Sequence, residues 1–249
     1  PWRVAIGVGP GPAPAVADMT WYQTAHPVPD TRSVVAARAV LDVADALAEE
    51  DLLVVLLSGG ASALMALPAE GLSLDDKRAV TARLLAEGTT IRELNTVRTH
   101  LSAIKGGRLA AATPARVLTL ALSDVVGDHA STIGSGPTVA DPTTCADALD
   151  IVRRYDIALP VSARVLLETG AGETPKPGDQ RLSRAETKVV ATPRMALLAA
   201  AEAARAAGVT PVLLGDRIEG EARDVGKAMA AIALSCADHG EDRKSTRLN

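Results

Sequence analysis

The run Leu52-Leu53-Val54-Val55-Leu56-Leu57, followed at once by Ser58-Gly59-Gly60-Ala61-Ser62, decides the fold class. Six consecutive aliphatic residues ending in a Ser/Gly turn suit a strand buried on both faces, as the strands of a parallel sheet are. Upstream, residues 31–50 are rich in Ala and place Val35, Ala39, Leu41, Val43, Ala46 and Leu47 at helical spacing. Downstream, a helix is expected from Ala61 to Leu67, stopped by Pro68. A helix, a buried strand and another helix form the opening of an α/β alternation.

The alternation continues in both directions. Ser73-Leu74-Asp75-Asp76 has capping-box spacing, with Asp in place of the usual Glu, and opens a helix to Gly88. A long helix over residues 91–112 would carry the apolar face Ile91, Leu94, Val97, Leu101 and Ile104, with Arg98 and Lys105 sharing its polar edge and Gly106-Gly107 as a bending point. Residues 116–122 read as a second strand that delivers Ser123 and Asp124 at its carboxyl end, and a long Gly/Ser/Asp/Pro loop extends from there to Pro142. Helices fit 143–155, 162–169, 193–207 and 219–238, with strands near 188–191 and 209–214 and a further strand at Arg3 to Val8. The expected fold is a doubly wound, mostly parallel α/β sheet with helices on both faces, Rossmann-like, binding ligands beyond the carboxyl ends of its strands. Residues 58–62 and 123–138 would meet there.

Composition narrows the partners. The 249 residues are 47% hydrophobic, enough for a sizeable core, and the net charge of -4 offers no basic surplus for a phosphate backbone, so nucleic acid is not expected. Cys145 and Cys236 show neither disulfide-scaffold nor zinc spacing. No apolar run reaches the roughly 18 residues of a membrane span, and no signal-peptide layout opens the chain, so a cytoplasmic protein is expected. With no Phe, two Tyr and two Trp, the core must be aliphatic; Trp21 and Tyr22 read as a partly exposed packing pair.

Several groups have chemistry to offer. Ser58, Gly59, Gly60 and Ser62 lie in a strand-to-helix turn whose N–H groups could hold an anion, or which could simply be tight, with Ser62 as a cap. Asp124 and Asp128, beside Ser123, could hold Mg2+ through one or two carboxylates. Arg98 and Lys105 could clamp a carboxylate or a transferring phosphoryl group, and Ser135, Gly136 and Thr138 could form an anion nest or a plain turn. The four histidines show no ligand spacing. These features alone suggest a soluble α/β domain for a small anionic or phosphorylated ligand.

Longer strings carry a resemblance. His26-Pro27-Val28-Pro29-Asp30, the run Leu57 to Leu64, Asn95-Thr96-Val97-Arg98-Thr99-His100-Leu101-Ser102-Ala103-Ile104-Lys105-Gly106-Gly107-Arg108-Leu109-Ala110, Ser123 to Asp128, Ser135 to Val139 with Asp141 to Thr144, and Glu173 to Gly178 together resemble the glycerate 2-kinase family, some of whose members are labelled hydroxypyruvate reductase. The likeness runs from about residue 22 to 240. It implies ATP- and Mg2+-dependent phosphorylation of the 2-hydroxyl of D-glycerate, with Arg98, Lys105 and Asp124 catalytic, Asp124 and Asp128 on the metal, and Ser58, Gly59, Gly60, Ser62, Ser123, Ser135, Gly136 and Thr138 around substrate and nucleotide. A homodimer is left open. The alternatives are an NAD(P)H-dependent hydroxypyruvate reductase, against which the lack of a GxGxxG fingerprint stands, and a non-catalytic binder of sugar acids. Ala61, where the family often shows a third Gly, and Val126 and His129, where Pro and an acidic residue are common, depart from the pattern.

The resemblance also sets an expected organisation. Residues 1–241 read as part of an N-terminal domain truncated at its start, without the family's second domain, and the chain alone is expected to be inactive. Residues 242–249 back-translate to GATCGGAAGAGCACACGTCTGAAC, a common sequencing-adapter string, and are expected to be a non-native tail.

Overall fold

The computed structural model describes residues 3–239, so the expected non-native tail at 242–249 lies outside the described residues. The chain divides into two compact units, the first running to Ala196 and the second from Leu197. The class is α/β with parallel strands, as expected. The described strands form two separate sheets rather than one.

In the first unit, β1 (Ile6–Gly9) pairs in parallel with β2 (Thr20–Gln23). Gly7 and Gly9 are needed there because the Trp21 ring lies against them; a Cβ at Gly7 would fall 2.5 Å from it. The Trp21 indole N–H donates to the Gly11 carbonyl at 3.0 Å, the polar handle a half-buried Trp requires.

Helix α1 (Thr31–Asp45) starts at a reciprocal capping box between Asp30 and Ser33 and stops well short of Glu50. Strand β3 (Leu52–Leu57) comes next, then the single turn α2 (Ala61–Leu64). Helix α3 (Leu74–Ala86) is capped by the Ser73 hydroxyl, which accepts from the Asp76 amide at 3.0 Å. Helix α4 (Ile91–His100) opens on a full Thr90/Glu93 capping box. It ends after His100, and α5 (Arg108–Ala111) is a separate turn, so the single 91–112 helix is corrected. Tertiary bonds override the helical pattern here: the Ala103 amide and the Ser102 hydroxyl both donate to the Leu67 carbonyl, and Gly106 and Gly107 adopt positive φ.

Strand β4 (Arg116–Leu122) is the centre of the order β3-β4-β5, with α6 (Cys145–Arg154) and α7 (Val161–Glu168) leading to β5 (Ala185–Ala191). All pairings are parallel, and the β4–β5 register shifts at Ala121/Leu122. An irregularity at the end of a strand re-aims the residues beyond it, here Ser123 and Asp124.

Helix α1 covers the sheet face that carries Leu53 and Val55, in a core with Ala37, Ala44, Leu67, Ile104 and Leu109. A second core binds α3, α4, α6 and α7 through Leu84, Val97, Leu101, Ala148 and Leu167. The opposite face of β3 leaves Leu52, Val54 and Leu56 exposed, Leu56 by 77%, although the apolar run suggested cover on both sides.

The second unit contains most of α8 (Pro193–Ala206) and α9 (Ala222–His239). The strand expected at 209–214 does not form: no described strand pairs with it, and Val209, Val212, Leu213 and Leu214 are exposed. No helix of the described residues is long and apolar enough to cross a membrane.

Candidate functional site

Four loops converge beyond the carboxyl ends of β3 and β4: residues 58–62, 105–109, 123–128 and 134–138. Backbone hydrogen bonds fix two of them together, since the amides of Gly106, Gly107 and Leu109 donate to the carbonyls of Ser135, Gly136 and Pro137 at 3.0, 2.8 and 3.0 Å. The 134–138 loop is itself unusual. Gly134, Ser135 and Gly136 all have left-handed φ, at 58°, 62° and 53°. For Ser135 this conformation is costly, and such strain gathers where surrounding structure must hold a functional group in place.

The strain secures the Ser135 hydroxyl, 2.7 Å from the Ser62 hydroxyl and 3.4 Å from Oδ1 of Asn95. Ser62 therefore is not a helix cap: the residue before α2 is Gly60, with φ of 81° and no side-chain cap bond. Because α2 is one turn long, its dipole adds little, and anion binding at 58–62 rests on the N–H groups of the turn. A Cβ at Gly136 would lie 2.9 Å from the Ser131 backbone. Gly136→Ala is expected to cost about 1–3 kcal/mol, read as a lower denaturant midpoint at unchanged m-value.

Behind these hydroxyls lies a group of cations. Lys105 is 1% exposed, and its ammonium has one long hydrogen bond, 3.4 Å to the Gly134 carbonyl. Lys77, which no sequence motif singles out, is also buried and donates to the carbonyls of Arg98 and Leu101 at the end of α4, at 3.0 and 2.8 Å. Arg98 is half-buried beside them. No ion pair among the described residues involves Lys77, Arg98 or Lys105. Burial first, and the neighbouring cations second, hold both lysine ammonium groups well below their usual pKa, and burial lowers Arg98. Arg98 and Lys105 thus do not share a solvated helix edge; they are packed inward, where unneutralised positive charge is expensive unless an anion arrives.

The carboxylates Asp124 and Asp128 follow the end of β4. Asp124 overlies Gly59 so closely that a Cβ there would fall 2.2 Å from its Oδ2. Asp128, with φ of 55°, has Oδ1 buried without a hydrogen-bond partner. A buried carboxylate oxygen left unsatisfied calls for a cation, and hard oxygen donors of this kind suit Mg2+. Ser123 supports the loop instead of reaching out: its amide donates to the Ala191 carbonyl at 2.8 Å and its hydroxyl to the Val125 carbonyl at 3.3 Å. Thr138 is likewise an anchor. It is 3% exposed, with its hydroxyl 2.7 Å from that of Thr119 and 3.4 Å from that of Thr187. Ser58 and Gly59 are exposed at the turn.

Two cavities flank α4. One, of about 80 Å3, has Arg92, Asn95, Thr96, Thr99, Ser135 and Asp141 in its wall beside Val139 and Pro142. The other, of about 360 Å3, lies between residues 26–29, the Gly60–Ser62 turn and α3. The His26 ring closes over Gly60, where a Cβ would meet its Cδ2 at 3.0 Å.

A further polar cluster is structural. The His100 Nδ1 faces the Thr96 carbonyl at 2.8 Å and its Nε2 faces Glu173 at 3.2 Å; Lys176 contacts Glu173, and the Arg108 guanidinium donates to the Gly172 carbonyl at 2.7 Å. His100, Cys145 and Glu173 lie close enough to share a metal ion. Burial, then Glu173, pushes the Cys145 thiol up to about 11, and Lys176 already matches the Glu173 charge, so the cluster is a neutralised clasp between α4, α6 and residues 173–176. Burial works to raise the Glu173 carboxyl, but hydrogen bonds from Lys176 and the Cys145 amide outweigh it and bring it down to about 2. The stability this contributes is complete above pH 4.5 and lost as pH falls toward 2, so Glu173→Gln is expected to flatten acid unfolding across that window in a pH series of melts.

Known proteins are similar to this chain in sequence and fold. Residues 5–168 match the family described as a domain of unknown function, DUF4147. The chain is 39% identical over 219 residues to the D-glycerate 2-kinase of Thermotoga maritima, covering 87% of this chain and 51% of that protein. It is 54% identical over 219 residues to an Agrobacterium vitis protein provisionally named hydroxypyruvate reductase, covering 88% and 49%. The crystal structure of a Thermotoga maritima glycerate kinase superposes with a TM-score of 0.77 at 36% identity, over 97% of this chain and 58% of that one. The chain therefore spans about half the length of these relatives.

Proposed function

Because this chain belongs to the DUF4147 family, the glycerate 2-kinase family of the sequence resemblance, we propose that it is the site-bearing N-terminal domain, within residues 1–241, of an ATP-dependent D-glycerate 2-kinase. The reaction moves the γ-phosphoryl group of ATP to the 2-hydroxyl of D-glycerate, giving 2-phosphoglycerate and ADP. The observation that carries this reading is the inward-packed trio Lys77, Arg98 and Lys105, which has no carboxylate partner among the described residues, beside hydroxyls held by a strained loop. Cations without counter-charge in a dry site bind anions, and both substrates are anions.

Phosphoryl transfer asks a protein mainly to position the two reactants and to offset charge on the transferring group. Asp124 and Asp128 would hold Mg2+, which would offset the negative charge of the nucleotide phosphates. The N–H groups of Gly59, Gly60 and Ser62 lie in the same region and would hold phosphate oxygens. Arg98 and Lys105 supply fixed positive charge where the transition state spreads negative charge over the phosphoryl oxygens. The Ser62 and Ser135 hydroxyls, each able to donate or accept, would orient the acceptor hydroxyl. Gly136 serves the loop's shape.

The relatives' reductase name supplies the second arm of the test. We expect the full-length gene product to form ADP only when D-glycerate, ATP and Mg2+ are all present, in a coupled assay. NADH oxidation with hydroxypyruvate, in place of ADP formation, would replace the kinase with a reductase.

A further inference from the structure

The larger cavity beside the Gly60 turn has a composition the smaller one lacks. Its 360 Å3 falls within the range of drug-sized pockets, about 300–1,000 Å3, and far exceeds the volume a three-carbon acid fills. Pro27, Val28, Pro29, Ala63, Ala82 and Leu85 give it apolar walls. Its charged lining residues are Lys77, Arg78 and Arg98, and none is acidic. An occupant must therefore combine a sizeable apolar body with negative charge. D-glycerate has the charge without the body. Its hydroxyls and carboxylate suit the small cavity, where Asn95 and Ser135 offer hydrogen-bonding groups and Arg92 a positive charge, while the Asp141 carboxylate there is occupied by the Thr143 and Thr174 hydroxyls.

Position agrees with composition. The two cavities use different sides of α4, Leu94 and Arg98 facing the large one and Asn95, Thr96 and Thr99 the small one. Between them the Ser62 and Ser135 hydroxyls touch at 2.7 Å, Ser62 lining the large cavity and Ser135 the small one. A phosphate chain leaving the large cavity over Gly60 and Gly59 would run toward Asp124, whose carboxylate covers Gly59.

We infer that the cavity bounded by residues 26–29, the Gly60–Ser62 turn and α3 is the nucleoside subsite of this protein, taking the base and ribose of a nucleoside triphosphate against its apolar walls and the first of its phosphates beside Lys77, Arg78 and Arg98, with the acid substrate in the small cavity across Ser62 and Ser135. The assignment rests on the kinase reading above and gives each substrate its own loops. Residues 26–29 thereby gain a role: they wall the base, with His26 packed on Gly60 at the phosphate end.

Two variants of the full-length protein test it. Ala82 is an exposed wall residue, so Ala82→Trp fills the cavity without disturbing the core. By calorimetry it should weaken ADP binding at least tenfold while leaving the KM for D-glycerate within twofold; unchanged ADP affinity, or a raised KM for D-glycerate alone, overturns the assignment. Leu85→Trp, at a site 58% exposed, gives an independent signal: its emission should change on titration with ADP but not with D-glycerate, and the reverse pattern overturns the assignment. An ADP-dependent emission change in Leu85→Trp, from a protein that shows no turnover, would keep the subsite and remove the kinase reading. Turnover unaffected by Ala82→Trp would keep the kinase and remove the subsite.

Discussion

Lys105→Met is expected to lower kcat/KM for D-glycerate phosphorylation by about 10²–10³-fold, the scale of losing one preorganised charge partner of a transition state, while leaving the protein as stable as before or more so. Activity and stability should thus move in opposite directions. The Lys105 ammonium is 1% exposed, has no carboxylate partner among the described residues and has one 3.4 Å hydrogen bond, so in the free protein it is a desolvated charge close to Lys77 and Arg98. Met keeps the volume and removes the charge, and apolar replacement of poorly compensated buried charge is often neutral or stabilising. Stability should also depend on pH in a defined direction. Lys77 and Lys105 have folded-state pKa values well below 10.5, so the unfolded chain binds more protons between the depressed values and 10.5, and stability climbs as pH rises through that window. Lys105→Met removes part of that slope. Melts from neutral to alkaline pH would show it; a midpoint lowered by several degrees at neutral pH, or retained activity, would make Lys105 structural.

Asp124→Asn is expected to cost about 10²-fold or more in kcat and to raise the Mg2+ concentration needed for half-maximal rate, since it removes the charge from one of the two carboxylates proposed to hold the metal while leaving its shape. Gly59→Ala should reproduce the defect in weaker form, because its Cβ falls 2.2 Å from Oδ2 of Asp124 and displaces that carboxylate without touching the core. Steady-state rates against Mg2+ concentration check both. An unchanged Mg2+ dependence in Asp124→Asn would take the metal role away from this pair.

The frame of this site is legible in the sequence because the frame is local. Leu52–Leu57 and Arg116–Leu122 are strands whose aliphatic composition fits a parallel sheet, and each is followed directly by the polar residues it delivers. The stretch 209–214 carries the same β-branched and aliphatic signal but pairs with no described strand, and a strand exists only where a partner edge does. The 91–112 pattern keeps helical spacing past His100, yet the Leu67 carbonyl captures Ser102 and Ala103 and the helix stops.

Among the site residues, Arg98 and Lys105 could be named from charge and motif, though not their burial. Lys77 could not. Beside Asp75 and Asp76 near the start of a helix it reads as a solvated surface lysine, and only the packing of α3 on α4 turns it into the carbonyls that end α4. Thr138 lies in a Gly/Pro-rich loop whose sequence gives no sign that its hydroxyl bonds across to Thr119 on β4. Asn95 needed the left-handed Ser135 to become a site residue, and no local pattern announces that contact.

The most direct test is the identity of the product. We expect 31P NMR of the full-length protein with D-glycerate, ATP and Mg2+ to show 2-phosphoglycerate appearing in step with ADP. Phosphate on the 3-hydroxyl, or ATP left intact while hydroxypyruvate is reduced, would contradict the account.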